Sequence, residues 1–289
     1  MMYNINMISH SLTLELLRVT MLVYDYGAKF EVDSEETLET FVARVTESGD
    51  IDTLGISALQ RRVLEDAAAQ APSGRVCKFI SHPKTDLQVG ITLSEHNKRI
   101  CVVFRGSESK TDWYYDLSIM KCRLRDDIWV HSGFFKQLFE GGVYRDILTE
   151  VRRLVAEHPD YRVYVTGHSL GAALASLCGY ELANDIENDV TVVSFASPRV
   201  GNRKWKAAFE GMPNLQHYRV TTQRDVVTAF PYFRYYHVGE NIRLSVKAVK
   251  MFGSNAARSW YEETFLTCWS PSEHMCDVYY RRLVENGWA

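Results

Sequence analysis

The feature that most constrains this chain is the run from Thr166 to Ala175, which is centred on Ser169. The residues before it, 161–165, are largely β-branched and aromatic, and this short run predicts a buried strand. The apolar, Ala-rich run that follows, 172–184, predicts a helix. Ser169 therefore lies where a strand turns sharply into a helix, which is the context that a G-x-S-x-G nucleophile elbow requires.

Two glycines flank this serine at equal spacing. A turn this tight brings strand and helix so close that a Cβ at Gly167 or Gly171 is expected to clash. The turn also lifts the serine hydroxyl clear of the sheet and aims the first N–H groups of the helix at whatever binds there. A Gly-rich turn with an ordinary serine is the alternative, since the pentapeptide alone arises by chance. The flanking strand and helix favour the elbow.

Length and composition set broad limits on the function. A chain of 289 residues has room for one large α/β domain or two small ones. We find no repeat or linker, so a single domain over 1–289 is the simplest interpretation, with a helical segment at 1–74 packed on it. The net charge of −3, without a basic run or zinc-finger spacing, argues against a nucleic-acid partner.

The first residues of the chain do not resemble an export signal. The segment 1–8 has no Lys or Arg, and the apolar stretch after it contains Glu15 and Arg18, so signal-peptide and transmembrane assignments are both poor. We therefore expect a cytoplasmic protein, or one peripheral to lipid surfaces, with mostly reduced thiols. None of the six cysteines forms a C-x-x-C pair; Cys268 and Cys276 are a conceivable disulfide, with two buried thiols as the alternative.

The pattern along the chain predicts an α/β fold. Helices are expected at 11–26, from a cap at Ser34 through Val45, and at 57–70, 107–120, 135–157, 172–184, 205–210 and 272–286. Strands are expected at 77–81, 87–93, 99–105, 161–165, 190–194, 215–221, 235–238 and 242–246. Short turns make the first three strands an antiparallel meander, and the later strand–helix alternation implies parallel strands with right-handed crossovers. The result is a mixed, mainly parallel sheet flanked by helices.

A serine hydroxyl needs a base to accept its proton and an anion to orient that base. In α/β-hydrolase chains the order is serine, acid, histidine, and Asp225 and His274 follow Ser169 in that order. On spacing alone, His274 is only modestly preferred over other histidines as the base. Asp225 likewise competes for the role of the acid with two aspartates that follow the elbow helix. The rival histidines are His131, His168 and His237, and the rival acids are Asp185 and Asp189.

The tetrahedral intermediate also needs donors for its oxyanion. One is expected to be the backbone N–H of Leu170, and the second is expected from the loop after an earlier strand, at Gly106–Ser107. The Ser107 hydroxyl adds a further donor. Without Ser169, a plain turn at the end of the strand is the better interpretation of Arg105–Ser107.

Several blocks in a fixed order resemble the class 3 lipase family, the fungal triacylglycerol-lipase type of α/β-hydrolase, from about residue 75 onward. These blocks are Val103–Ser107, Trp113 with Asp116–Leu117, Val130–Phe134, Gly167–Ala175, Phe195 with Pro198–Asn202, Tyr218–Val220, Asp225–Val227 with Pro231, and Tyr236–Glu240. Because the last block is a structural one in the family, the resemblance argues against His237 as the catalytic base. It favours His274, which lies at the position of the family's base. Ala196 replaces a common glycine, and the usual aspartate immediately before the base is missing.

This resemblance implies hydrolysis of the carboxylic esters of lipids by a Ser169–His274–Asp225 triad, with Leu170 and Ser107 at the oxyanion and with no metal or organic cofactor. It also implies a lid over 107–120, whose Trp113, Tyr114 and Leu117 offer apolar surface to a membrane or lipid droplet; a static helix is the alternative. Phospholipase, other acyl-hydrolase or acyltransferase activity remains open, as does a catalytically silent interaction protein. The sequence does not predict the oligomeric state.

Overall fold

The computed structural model describes residues 8–71, 74–82, 84–106, 120–245, 249–252 and 270–287. Within these ranges the α-helices are α1 His10–Leu22, α2 Leu38–Glu47, α3 Ala58–Gln70, α4 Ser132–Phe139, α5 Val143–Glu157, α6 Leu170–Asp185, α7 Arg203–Glu210 and α8 Cys276–Glu285. The strands are β1 Gly74–His82, β2 Leu87–Ser94, β3 Arg99–Phe104, β4 Lys121–Arg125, β5 Ile128–His131, β6 Arg162–His168, β7 Val190–Phe195, β8 Leu215–Thr222, β9 Glu240–Leu244 and β10 Val249–Phe252.

The main sheet has the order β1-β2-β3-β6-β7-β8-β9-β10. The pairings from β3 through β9 are parallel, whereas β1–β2, β2–β3 and β9–β10 are antiparallel. This arrangement confirms the predicted mixed, mainly parallel α/β sheet with its N-terminal meander. Since Phe104 pairs with Gly167, the end of β3 lies directly beside the end of β6.

Each face of the sheet is covered by its own group of helices. α4, α5, α6 and α7 pack on one face, and α1, α2, α3 and α8 pack on the other. α6 is buried on every side from Leu170 to Ala183, because its apolar and small residues cover the whole circumference of the helix. The predicted N-terminal helices therefore form one layer of the core. Among the described residues, no helix combines the length and apolar character that crossing a bilayer requires.

Three predicted elements differ from the structure for local reasons. The helix expected over 135–157 is interrupted because Gly141 and Gly142 both adopt φ near +81°, which separates α4 from α5. The cap of α2 is Thr37, which forms a capping box with Thr40, so the predicted cap at Ser34 is wrong. The last helix begins only at Cys276, after a 3₁₀ turn at 271–274.

Two strand predictions also need correction. The segment 235–238 is not a strand; it contributes only an isolated bridge at Tyr236, and β9 pairs instead with β10. The hairpin of β4 and β5 was not predicted, because its charged residues give no clear alternation. Residues 107–119 of the helical lid expected over 107–120 lie outside the described residues, as does Cys268.

Candidate active site

Ser169 lies between the end of β6 and the start of α6 with φ 59° and ψ −123°. A non-glycine residue at positive φ is uncommon, and such a conformation persists only when the surroundings hold it. Here the Ser169 N–H donates to Phe195 O of β7 at 3.0 Å, and Ser169 O accepts from Ala172 N at 3.0 Å. The bend therefore holds the serine hydroxyl at the carboxyl end of the parallel strands.

The glycines on either side of the serine have the steric role predicted for them. A Cβ on Gly167 would lie 2.5 Å from the carbonyl carbon of Gly171, and a Cβ on Gly171 would lie 2.6 Å from Phe104 O. Both contacts involve backbone atoms, so no side chain can rotate away to relieve them. The sharp bend, and the close approach of β3 to it, require glycine at both positions.

The structure brings Ser169, His274 and Asp225 together as a hydrogen-bonded chain. His274 Nε2 lies 2.8 Å from Ser169 Oγ, and His274 Nδ1 lies 3.0 Å from each carboxylate oxygen of Asp225. The Asp225 carboxylate must accept from Nδ1–H, so Nε2 is left to accept the serine proton. The Asp225 side chain is fully buried, whereas His274 is about one-eighth exposed.

The rival bases and acids lie elsewhere. His237 is directed to the carbonyl oxygen of Thr228 at 2.8 Å, and His131 Nδ1 caps α4 by accepting from Gly133 N. Asp185, the last residue of α6, accepts from the Tyr144 hydroxyl. Among the described residues, no cluster of three or more metal-ligating side chains is present.

Asp225 is held by donors that sequence reasoning missed. Its Oδ1 accepts from Val227 N at 2.9 Å, and its Oδ2 accepts from the Tyr279 hydroxyl at 2.7 Å. That hydroxyl in turn accepts from Thr222 N at 3.1 Å. Burial, and then the negative charge of Asp225, raise the pKa of Tyr279 well above its usual value, so the phenol stays a donor. The sequence signal that could have indicated this contact was a tyrosine on the apolar face of α8, because a buried phenol hydroxyl needs a hydrogen-bond partner.

The turn that carries His274 is fixed by contacts from distant elements. Thr222 Oγ1 donates to Glu273 O at 3.1 Å, and Ser270 N donates to Arg224 O at 3.1 Å. Arg282 of α8 donates to both carboxylate oxygens of Glu273 at 2.6 Å. The end of β8 and Arg282 in the last turn of α8 thus hold the residue that precedes the histidine.

His168, one of the rival bases, packs behind the catalytic histidine. Its Nε2 lies 2.6 Å from His274 O, and its Nδ1 lies 3.2 Å from the Tyr24 hydroxyl. Burial, and then the neighbouring His274, lower the pKa of His168 to about 3, so its ring is neutral. Because carbonyl oxygens only accept, Nε2–H donates to His274 O, and the Tyr24 hydroxyl donates to Nδ1.

The expected oxyanion donors are described only in part. Leu170 opens α6, so its N–H has no acceptor within the helix and is available to a ligand near Ser169. Ser107 lies outside the described residues, as do the lid residues Trp113, Tyr114 and Leu117. The neighbouring Gly106 donates its N–H to the Tyr24 hydroxyl at 3.2 Å. One hydroxyl just after α1 therefore contacts both the loop after β3 and His168.

Comparison with known proteins shows which family this chain resembles. The model of the family described as lipase (class 3) matches residues 101–235, which include the serine and the aspartate of the triad. The secreted mono- and diacylglycerol lipase A of Penicillium cyclopium is 32% identical over 149 residues, covering 51% of this chain and 48% of the relative. Phospholipase A1-II 1 of Oryza sativa subsp. indica is 30% identical over 167 residues, covering 50% and 42%. The chain thus spans less than half the length of these curated relatives.

Solved structures extend the likeness to the whole fold. The lipase from Rhizopus microsporus var. chinensis superposes with a TM-score of 0.71 at 22% identity, covering 92% of this chain and 85% of that chain. At this identity the match establishes a shared fold and no more.

Proposed function

Because this chain belongs to a class 3 lipase-like family with an α/β-hydrolase fold, we propose that it hydrolyses the carboxylic esters of lipids through a covalent acyl-enzyme on Ser169. The observation that carries this proposal is the unbroken hydrogen-bonded chain from Ser169 Oγ through His274 to Asp225. An inert interaction protein has no need to keep a buried carboxylate and a histidine aligned on a strained serine.

The proposed first step is acyl transfer to the serine. Ser169 Oγ attacks the ester carbonyl while its proton moves to His274 Nε2, and the resulting imidazolium is stabilised by the Asp225 carboxylate on Nδ1. The imidazolium then gives its proton to the leaving alcohol, and an acyl-Ser169 ester remains. In the second step His274 accepts a proton from water as the water oxygen attacks the acyl carbonyl. The imidazolium then returns this proton to Ser169 Oγ as the bond from Oγ to the acyl carbon breaks, and the free acid is released.

The charge on the tetrahedral oxygen needs fixed donors. We assign one of them to the backbone N–H of Leu170, because it opens α6 beside the nucleophile and the positive end of the helix dipole favours a developing anion there. We assign the second to Ser107 on the strength of the family resemblance. Each such donor typically contributes about 3 kcal/mol to transition-state stabilisation.

We further propose that the substrate is a lipid presented at a surface. Tyr232 and Phe233, which follow Asp225 closely in the chain, are each more than half exposed. Exposed aromatic side chains of this kind favour contact with lipid. The two relatives compared above are named for acylglycerols and for phospholipids, so both substrate classes are proposals here.

The test is hydrolysis of a panel of esters by the purified full chain and by Ser169→Ala. Triacylglycerol, diacylglycerol, phosphatidylcholine, galactolipid and short p-nitrophenyl esters are compared with and without an interface. We expect turnover of at least one lipid ester by the wild type and its loss in Ser169→Ala, with an unchanged melting temperature. Absence of turnover on the whole panel, or equal turnover by the variant, would contradict the proposal.

A further inference from the structure

An apolar cavity of about 100 Å³ lies between the N-terminal helices and the meander edge of the sheet. α1, α2 and α3 form one wall, and β1, β2 and β3 form the other. Its lining is dominated by aliphatic and aromatic side chains, among them Leu16, Val19, Phe79 and Val103. Engineered apolar cavities of about 150 Å³ take up small hydrocarbons, so this space suits part of a single alkyl chain.

A glycine inside β2 helps to keep the cavity open. Gly90 lines the cavity, and a Cβ placed on it would meet nothing closer than Val23 Cγ2 at 3.9 Å. No crowding by the protein therefore requires glycine at this position. Glycine within a strand costs stability and often marks a place where something else approaches the backbone. The missing side chain leaves room for a ligand beside the strand.

A polar cleft of about 490 Å³ adjoins this cavity, and Glu15 and Arg99 line both spaces. Besides these two, Lys98 and Arg162 line the cleft. Lys98 is ion-paired with Asp160 at 2.8 Å, so three cations face two carboxylates and the local balance is positive by one charge. Arg99 donates Nη2 to Glu15 at 2.8 Å, while its buried Nη1 has no hydrogen-bond acceptor among the described residues. The junction thus holds, beside the cleft, a cationic donor without an acceptor in the part of the chain that the structure describes.

We infer that the cavity and the cleft together form a second lipid-binding site for a free fatty acid, with the alkyl chain in the cavity and the carboxylate in the cleft. Charge complementarity selects this occupant, because an apolar cavity that shares Arg99 with a cleft also lined by Lys98 and Arg162 matches a single chain with an anionic head. The inference goes beyond the proposed hydrolysis, since binding here involves no residue of the triad.

The site is separate from the catalytic serine. In the parallel register of β3 with β6, Arg99 pairs with Arg162, whereas Phe104, five residues further along, pairs with Gly167 at the elbow. At about 3.3 Å per residue, the charged mouth lies about 16 Å from the elbow along the strands. A fatty acid bound here leaves the space around Ser169 free.

The test is calorimetric titration of the full chain with decanoate and with decanol. Gly90→Leu places a side chain in the cavity, and displacing about three methylene groups predicts roughly fifty-fold weaker decanoate binding. Gly90→Ala is the matched control and should bind within two-fold of the wild type. The wild type should prefer decanoate to decanol, and Arg162→Gln, a surface change, should reduce decanoate affinity about three-fold without affecting decanol.

Four results would overturn the inference. They are absence of decanoate binding to the wild type at millimolar concentration, unchanged binding by a folded Gly90→Leu, equal affinity for decanoate and decanol, and unchanged decanoate affinity in Arg162→Gln. Melting temperatures establish whether Gly90→Leu is folded. Should it fail to fold, the head-group comparison in Arg162→Gln still decides, since unchanged decanoate affinity there would exclude recognition by the cationic cleft.

Discussion

The nucleophile and the base of this site are held in different ways. Ser169 is fixed by backbone packing around the bend itself, where Gly167 and Gly171 meet each other and the end of β3. His274 lies on a short turn whose position depends on side-chain hydrogen bonds from β8, α8 and His168. The elbow is therefore specified by local steric fit, and the base by a network of distant partners.

This contrast predicts different responses to mutation. Crowding the elbow disturbs the fold and the activity together, because the bend belongs to the core of the sheet. Loosening the network around His274 lowers the activity while the fold persists, because the turn is a surface element. The following predictions test this difference, from the largest expected effect to the smallest.

The largest expected effect is on turnover by His274→Ala. Removing the base should lower kcat by about 10⁴-fold or more, since the serine proton then has no acceptor. His237→Ala is the matched control, because His237 is also partly buried but is directed to Thr228 O. Its kcat should stay within about ten-fold of the wild type. The reverse order of the two variants in steady-state ester hydrolysis would refute the assignment of the base.

Gly171→Ala tests the elbow. The new Cβ would lie 2.6 Å from Phe104 O and 2.8 Å from Arg105 O, so β3 or α6 must shift. We expect a loss of about 3 kcal/mol or more in the free energy of unfolding, measured in urea, with activity lost in parallel. Gly90→Ala in β2, where the nearest atom would be 3.9 Å away, should change stability by less than about 1 kcal/mol. Equal effects of the two variants would argue against steric control of the bend.

Tyr279→Phe tests the network behind the base. The change removes the hydroxyl that donates to Asp225 Oδ2 and accepts from Thr222 N. We expect it to lower the free energy of unfolding by about 1–2 kcal/mol and to lower kcat about ten-fold, with little change in KM. Tyr280→Phe is the control, since that hydroxyl donates to Asp66 in α3. Its kcat should be unaffected. A Tyr279→Phe enzyme with wild-type kcat would show that this donor does not position Asp225.

The effect that is smallest at neutral pH concerns acid stability. Burial lowers the pKa of His168 to about 3, so the folded protein does not protonate it at pH values where the unfolded chain does. Its contribution to stability is complete above about pH 6.5 and declines as the pH falls toward 3, by about 1.4 kcal/mol per pH unit. His168→Gln should therefore show a slope of unfolding free energy against pH that is lower by this amount between pH 6 and 4. An unchanged slope would contradict the neutral assignment.

The elbow was predictable from sequence because its causes are local. The strand, the two glycines and the Ala-rich helix are consecutive in the chain. The strand and the helix each have a recognisable residue pattern, and the two glycines follow from the steric limits of a tight turn. The mainly parallel sheet followed from the alternation of strands and helices. The break at Gly141–Gly142 could have been predicted too, but helical periodicity on both sides concealed it.

The supports of the base were beyond sequence reasoning because they join distant segments. Tyr24 and His168 meet across 144 residues, and Thr222 and Glu273 meet across 51. Nothing at these positions carries a periodic signal, and only the fold brings them together. Spacing alone preferred His274 over the rival histidines modestly, whereas its distance of 2.8 Å from Ser169 Oγ separates it from them.

The central claim is that His274 activates Ser169 as a nucleophile, and labelling by a fluorophosphonate measures this most directly. The account predicts that the wild-type chain takes up about one equivalent of the probe on Ser169, identified by peptide mass spectrometry, and that folded His274→Ala reacts at least about 10³-fold more slowly. A folded wild-type chain that is not labelled, or labelling of His274→Ala at the wild-type rate, would contradict it.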